Sequence, residues 1–391
     1  MTKLAEVLGA EQPGFSNRAL WSLGFRPFYL LASAYASCSV MLWAGYFVGI
    51  LPAANLPNAL WHGHEMLFGY TVAVIAGFLF TAVRNWTGQA TPEGKALVAL
   101  AVLWFAGRIL MLTSYGLASA LVNAAFPLAV AAGIARPLWL SGNRRNYFFV
   151  ALLVALGVAS LLLHLAQLGW VDWPARLSLR VGLDLVAFIM AVVGGRVIPM
   201  FTNNGVPGLK AVRLPLLEKA ALGSVLLLLV ADLLQLPAPF IAAIAACAAL
   251  TNVWRLWLWQ PWRVLVAPMV WILHFAYVWI ALHFILRSLA ALGLVAEAMA
   301  VHALTIGAIG GMTLGMMTRT ARGHSGLEIM AGRAELACFI LVQTAALTRV
   351  FGGLFLSAHY MTTVWVAASL WSLAFAIFFV RYWTILTRPR L

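Results

Sequence analysis

Histidine is the residue to start from, because neutral imidazole is the common protein ligand for haem iron and for copper. The chain has eight histidines in a strongly apolar sequence. His62 and His64 lie together in WHGHEM, directly before Glu65, and His302 opens HALTIGAIGG. A buried imidazole with no partner costs a few kcal/mol, roughly, which coordination would offset. His62, His64 and His302 are therefore the leading candidate ligands for a haem or a metal, and His274 and His283 are further candidates. His164 and His359, each at a helix end, read as interfacial residues. Glu65 and Asp184 are the candidate catalytic acids, as proton relays or as ligands of a second metal. Arg108 and Arg196 are candidates to meet an anionic cofactor group. The competing reading is that the two acids only neutralise Arg108, Arg180 or Arg196. Cys38, Cys247 and Cys338 stand singly and read as buried small hydrophobes. There is no C-x-x-C-H, so any haem is of the non-covalent b type.

These side chains need a scaffold, and composition says what kind. Of 391 residues 64% are hydrophobic and 9% charged, with a mean hydropathy of +0.95; soluble domains carry roughly 25% charged residues. A hydrocarbon core of ~30 Å is crossed by roughly 20 apolar residues as a helix, since every backbone polar group must be satisfied within the segment. Such runs recur at 28–50, 63–83, 96–116, 119–140, 147–168, 177–201, 216–236, 239–258, 265–287, 293–317, 332–353 and 358–381. The dyad alternation of a membrane β-barrel is absent. The chain reads as all-α, one integral membrane domain over 1–391 with about twelve transmembrane helices and short loops. Residues 1–25 are polar and mixed, so no cleavable signal peptide is expected.

A formal charge of +14 would suit nucleic acid, but its distribution excludes that partner. With the loops numbered alternately, one side holds 19 of the 25 Lys and Arg residues. The other holds Arg176, Arg180, Arg287 and Arg349, while Arg108 and Arg196 fall inside spans. Positive residues stay cytoplasmic during insertion. Both termini are thus expected in the cytoplasm and the 51–61 loop in the periplasm. His62, His64, His164, His283, His302 and His359 then lie in the periplasmic half, His302 about three turns into its helix. His274 falls near mid-membrane, and only His324 is cytoplasmic. Trp61, Trp170, Trp173 and Trp262 read as interfacial anchors.

Spacing limits which residues can share a centre. At about 100° per residue, His62 and His64 point about 200° apart. They meet one metal only if the helix starts between them; otherwise they serve two sites. His274 and His283 likewise face opposite ways. WHGHEMLFGYTVAVIAGFLFTAVRNWTG also lies on VHALTIGAIGGMTLGMMTRTARGHSG at a constant offset of 238, matching His64 with His302, Gly69 with Gly307 and Arg84 with Arg322. Helix 6 joins at an offset of 117, without the histidine but with Asp184 one turn beyond its place. Three four-helix units (28–140, 147–258 and 265–381) around a pseudo-threefold axis would produce this pattern. Recurrent small-residue packing is the competing explanation. Gly307, Gly311 and Gly315 would let something flat, or another backbone, approach helix 10.

Six segments together carry a family likeness: GFRPFYLLAS (24–33), WHGHEMLFGY (61–70), AGFLFTAVRNWTG (76–88), GGRVIPMFTNNG (194–205), WILHFAYVWIALH (271–283) and HALTIGAIGGMTLGMMTRTARGHSG (302–326). Nearly end to end, the chain resembles the NnrS family of bacterial haem- and copper-containing membrane proteins associated with the response to nitric oxide. The resemblance implies twelve helices, haem b, copper or another second metal, and protection from nitric oxide in the bacterial cytoplasmic membrane. Ligands on helices 2, 6 and 10 are also similar, at fold level alone, to the haem–copper oxidase and nitric oxide reductase superfamily. Any redox turnover would need an external electron donor, since the chain has no haem-c or iron–sulfur motif. Two other readings stay open: a transporter or haem- and metal-handling membrane protein, and a non-enzymatic nitric oxide sensor.

Overall fold

A computed structural model describes residues 17–50 and 56–390. The expectations for the N-terminal end and for the start of the 51–61 loop fall on 1–16 and 51–55, outside the described residues. Among the described residues every regular element is a helix. Twelve long ones follow in order: α1 Phe25–Phe47, α2 Asn58–Thr87, α3 Lys95–Leu110, α4 Gly116–Leu140, α5 Phe148–Gln167, α6 Ala175–Gly205, α7 Pro215–Leu233, α8 Ala238–Leu258, α9 Pro268–Ala291, α10 Glu297–His324, α11 Arg333–Phe355 and α12 Tyr360–Leu386. Ten are long and apolar enough to cross a membrane. The exceptions have visible causes. α3 has 16 residues, about 24 Å of helix, and α7 carries Glu218, Lys219 and Asp232. The chain is a multi-pass membrane bundle, as its composition requires.

Local signals set the helix ends. Pro215 and Pro268 occupy first-turn positions of α7 and α9, where a missing N–H costs nothing. Gly88 closes α2 at φ +67°, its N–H bonded to the Arg84 carbonyl. Each helix packs on its neighbour in chain order, and α12 returns onto α1 to close the ring. The seams α4–α5, α8–α9 and α12–α1 are all extensive and stand four helices apart. α2 also touches α6 and α10, so α2 sits inside the ring. The glycine face of α10 is filled by α9, with Trp279 against Gly307, Ala276 against Gly311 and Leu273 against Gly315. Close packing of small residues is what holds helices together where lipid removes the hydrophobic drive.

α2 and α10 share one departure from regular geometry. Each has a stretch of wider i→i+5 turns, Glu65–Thr71 and Ala303–Gly310. Shifted by 238, the first falls on 303–309, so both follow directly on the matched pair His64 and His302. α6 has no such stretch. Thr71 donates to the Met66 carbonyl at 2.8 Å, taking up an acceptor within the widened turn. Such turns concentrate at functional sites.

Observed helix ends correct several depths. α2 begins at Asn58, so His62 and His64 both stand on regular helix. α10 begins at Glu297, which puts His302 within its first two turns rather than three. His274 is the seventh residue of α9, about 9 Å from that helix's start and nearer that end than the helix's middle. Trp61 is 1% exposed and packs edge-on against Tyr46, so it is core and not an interfacial anchor. Cys38 and Cys247 face outward, and only Cys338 is buried. Hydropathy locates apolar runs but not where a polar or aromatic end keeps winding, and that accounts for the shifts.

Candidate cofactor site

A cavity of about 460 Å³ lies among α1, α2, α6, α9, α10, α11 and α12, within the ~300–1,000 Å³ typical of ligand pockets. Trp43, Met66, Leu183, Ile306 and Trp371 contribute to its apolar walls. Its polar groups fall mainly into two sets: the imidazoles of His62, His283 and His302, and the guanidinium groups of Arg176, Arg180, Arg287 and Arg349. All seven sit at the same end of the bundle, because α2, α6 and α10 start there and α9 and α11 finish there.

Hydrogen bonds fix which ring nitrogen of each histidine is free. Nδ1 of His302 lies 2.6 Å from the Ala298 carbonyl, one turn earlier. Nδ1 of His283 lies 2.8 Å from the Ala300 carbonyl across the α9–α10 contact. A carbonyl only accepts, so both Nδ1 atoms carry the proton and both Nε2 atoms keep a lone pair. That is how a protein presents a metal-ligating imidazole. Nε2 of His283 is buried with no hydrogen-bond partner. His62 stacks on Trp43, ring centroids 4.2 Å apart.

Charge at the cavity edge is largely paired. Arg287 binds Asp184 at 2.7 Å and also Asp232, joining α9 to α6 and α7. Arg180 reaches Glu297 at 2.5 Å, linking α6 to the start of α10. Asp184 leaves Oδ2 buried and unpartnered.

His64 belongs to a different cluster, on the far side of α2. Its Nδ1 is 2.7 Å from Glu65, and its Nε2 is 3.1 Å from Nε2 of His164 on α5 and 3.4 Å from the Ser160 hydroxyl. Glu65 also accepts from Arg108 at 2.7 Å and from the Tyr35 hydroxyl. Arg108 continues to Asn123 of α4. Gly69 leaves room for this, since a Cβ there would run into the Arg108 guanidinium. His62 and His64 thus serve two places, as a helix running through both requires. Arg108 has found its carboxylate in a side chain, and both Glu65 oxygens are committed. Arg108→Leu should strand Glu65 in a dry site and destabilise the protein by roughly 3–5 kcal/mol. Thermal unfolding in detergent would measure it, and an unchanged transition would deny the pair its structural weight.

The structure leaves two candidates outside both clusters. His274 bonds the Val270 carbonyl at 3.1 Å and Thr202 at 3.3 Å, in the opposite half of the bundle. Arg196 bonds Asn146 at 2.8 Å and lies over Phe148. Sequence reasoning did not single out the cavity arginines as ligand groups, and it read His164 as interfacial, whereas that residue is buried against His64 because α5 packs there. For the arginines a signal existed: Arg176, Arg180, Arg287 and Arg349 are the four on the side that the positive-inside bias leaves poor, and all four line the cavity.

Fold and site together define a polytopic α-helical membrane protein with a partly open, histidine- and arginine-lined chamber toward one end. The family model described as NnrS protein matches residues 19–390, nearly the whole chain, and the chain belongs to that family. Among curated proteins none matches it.

Proposed function

We propose that the protein binds haem b in this cavity and acts in nitric oxide metabolism or resistance to nitrosative stress. One observation carries the reading: unshared imidazole lone pairs stand beside arginine donors inside an apolar chamber of ligand size. The fit is one of donor chemistry. Nε2 of His302, held by the Ala298 carbonyl, is the ligand we assign first, with His62 and His283 as the other imidazoles of the chamber. Bound there, haem supplies an iron that captures nitric oxide and, given electrons, supports its reduction. Nitric oxide is small and apolar, so walls such as Met66, Ile306 and Trp371 suit it.

Reduction of two nitric oxide molecules to nitrous oxide and water takes up two electrons and two protons. The electrons come from an external donor, quinol or a periplasmic carrier. We assign proton uptake to Oδ2 of Asp184, the unpartnered oxygen of the acid that grips Arg287 at the cavity wall. Glu65 instead orients His64. Among the described residues no three His, Cys, Asp or Glu side chains gather to hold a metal ion. The widened turns of α2 and α10 beside the cavity favour, as a second reading, a haem- or metal-handling transporter.

The test is the spectrum of the purified protein, followed by anaerobic nitric oxide uptake with an artificial reductant. A Soret band extractable into acid acetone is expected, and a folded sample without one would overturn the haem assignment. Haem without uptake would leave binding or sensing in place of reduction. We further propose the bacterial cytoplasmic membrane as the location, with both termini in the cytoplasm. A C-terminal green fluorescent fusion should then glow and a phosphatase fusion should be silent; the reverse pattern would invert the topology.

A further inference from the structure

We propose that Arg349 and Tyr360, where α11 meets α12, form the carboxylate subsite of the cavity and take a haem propionate. The inference rests on the haem reading above. Arg349 is 5% exposed. Its Nη2 donates to the Tyr360 hydroxyl at 2.7 Å, its guanidinium lies 4.8 Å over the Tyr360 ring, and its Nη1 is buried with no partner. Because Tyr360 accepts from Arg349, its own O–H stays free to donate. Two donors, Nη1–H and O–H, therefore wait for one acceptor group.

No side chain of this half supplies that acceptor among the described residues. Glu65 is taken by Arg108, Asp184 and Asp232 by Arg287, and Glu297 by Arg180. Asp172 is exposed in the α5–α6 loop, and residues 51–55 contain no acid. Arg176, the other cavity arginine without an ion pair among the described residues, is exposed. A buried cation left without a counter-charge in a membrane protein is strongly unfavourable. A bound anion resolves this, and the planar guanidinium fork matches a carboxylate. The anion must belong to a largely apolar body, because Arg349 shares its cavity with Trp371, Val364 and Ile306. Arg349 also lies within electrostatic reach of both His62 and His302. One molecule that meets the imidazoles and the guanidinium together is an amphipathic carboxylate with a ligating centre.

The experiment titrates haem-depleted full-length protein in detergent with haem and, separately, with haem dimethyl ester, following Soret absorbance. The ester keeps the macrocycle and iron but has no carboxylate. Wild type should bind haem roughly tenfold to a hundredfold more tightly than the ester, the scale of one lost charge-assisted contact. Arg349→Gln should lose that preference by weakening haem alone, and Arg349→Lys should recover part of it. Tyr360→Phe keeps the ring beneath the guanidinium, so it tests the subsite even if Arg349 variants fail to fold; a smaller loss of the same kind is expected. Equal binding of acid and ester by wild type, or undiminished haem affinity in Arg349→Gln and Tyr360→Phe, would overturn the subsite while leaving the haem reading standing. Binding of neither compound by folded wild type would overturn both.

Discussion

His302→Ala should insert and purify as a folded membrane protein without its Soret band, and His62→Ala should lose most of it. His64→Ala and His274→Ala should keep the band. The division follows from where the lone pairs point. His302 presents Nε2 because its Nδ1–H is tied to Ala298, and His62 shares the chamber with it. His64 turns its Nε2 to His164 and its Nδ1 to Glu65, outside the chamber, while His274 is held by Val270 and Thr202 in the other half of the bundle. Losing an imidazole that would hold the iron should reduce haem occupancy by roughly tenfold or more. His302→Gly with added imidazole should restore the band, since a free ligand can enter the space left. Full haem content in both His302→Ala and His62→Ala would move the ligand elsewhere, with His283 next to be tested.

The largest loss of stability is expected at Arg287. Its guanidinium is the shared counter-charge of Asp184 and Asp232, which come from different helices and are both nearly inaccessible. Arg287→Leu leaves two carboxylates facing one another with only the half-exposed Arg180, 3.9 Å from Asp232, as counter-charge. Breaking one buried pair costs roughly 3–5 kcal/mol, and stranding two acids should reach or exceed the top of that range. The check is thermal unfolding in detergent, read by near-UV circular dichroism. If charge is the cause, adding Asp184→Asn and Asp232→Asn to Arg287→Leu should recover most of the transition. A triple variant as unstable as the single one would point to packing instead.

The helical bundle was legible from hydropathy, because the bilayer admits few alternatives. Helix ends were less so: α9 begins at Pro268 rather than 265 and α10 at Glu297 rather than 293, and that shift of about a turn misplaced His274 and His302. Angular spacing correctly raised the separation of His62 from His64, yet could not decide it without knowing that the helix begins at Asn58. Partners were the least legible. Nothing in the spacing of Glu65 and Arg108, 43 residues apart, says that they meet. The arginines that line the chamber could have been singled out as exceptions to the charge bias. Instead they were counted as its residue.

The Asp184–Arg287–Asp232 bridge also has a consequence for how the chain is made. Synthesis runs from α6 to α9, so both acids enter the membrane before their arginine exists. In the orientation proposed above, Arg287 must then be carried outward against a potential that opposes a positive charge by ~2.3 kcal/mol per 100 mV. Glu65 and Arg108 have no such wait, since α2 and α3 are adjacent. The first four helices can settle as they emerge, whereas α6 and α7 hold unmatched charge until α9 arrives. A ribosome stalled after α8 should therefore leave α6 and α7 open to quality-control proteases, and one stalled after α9 should not.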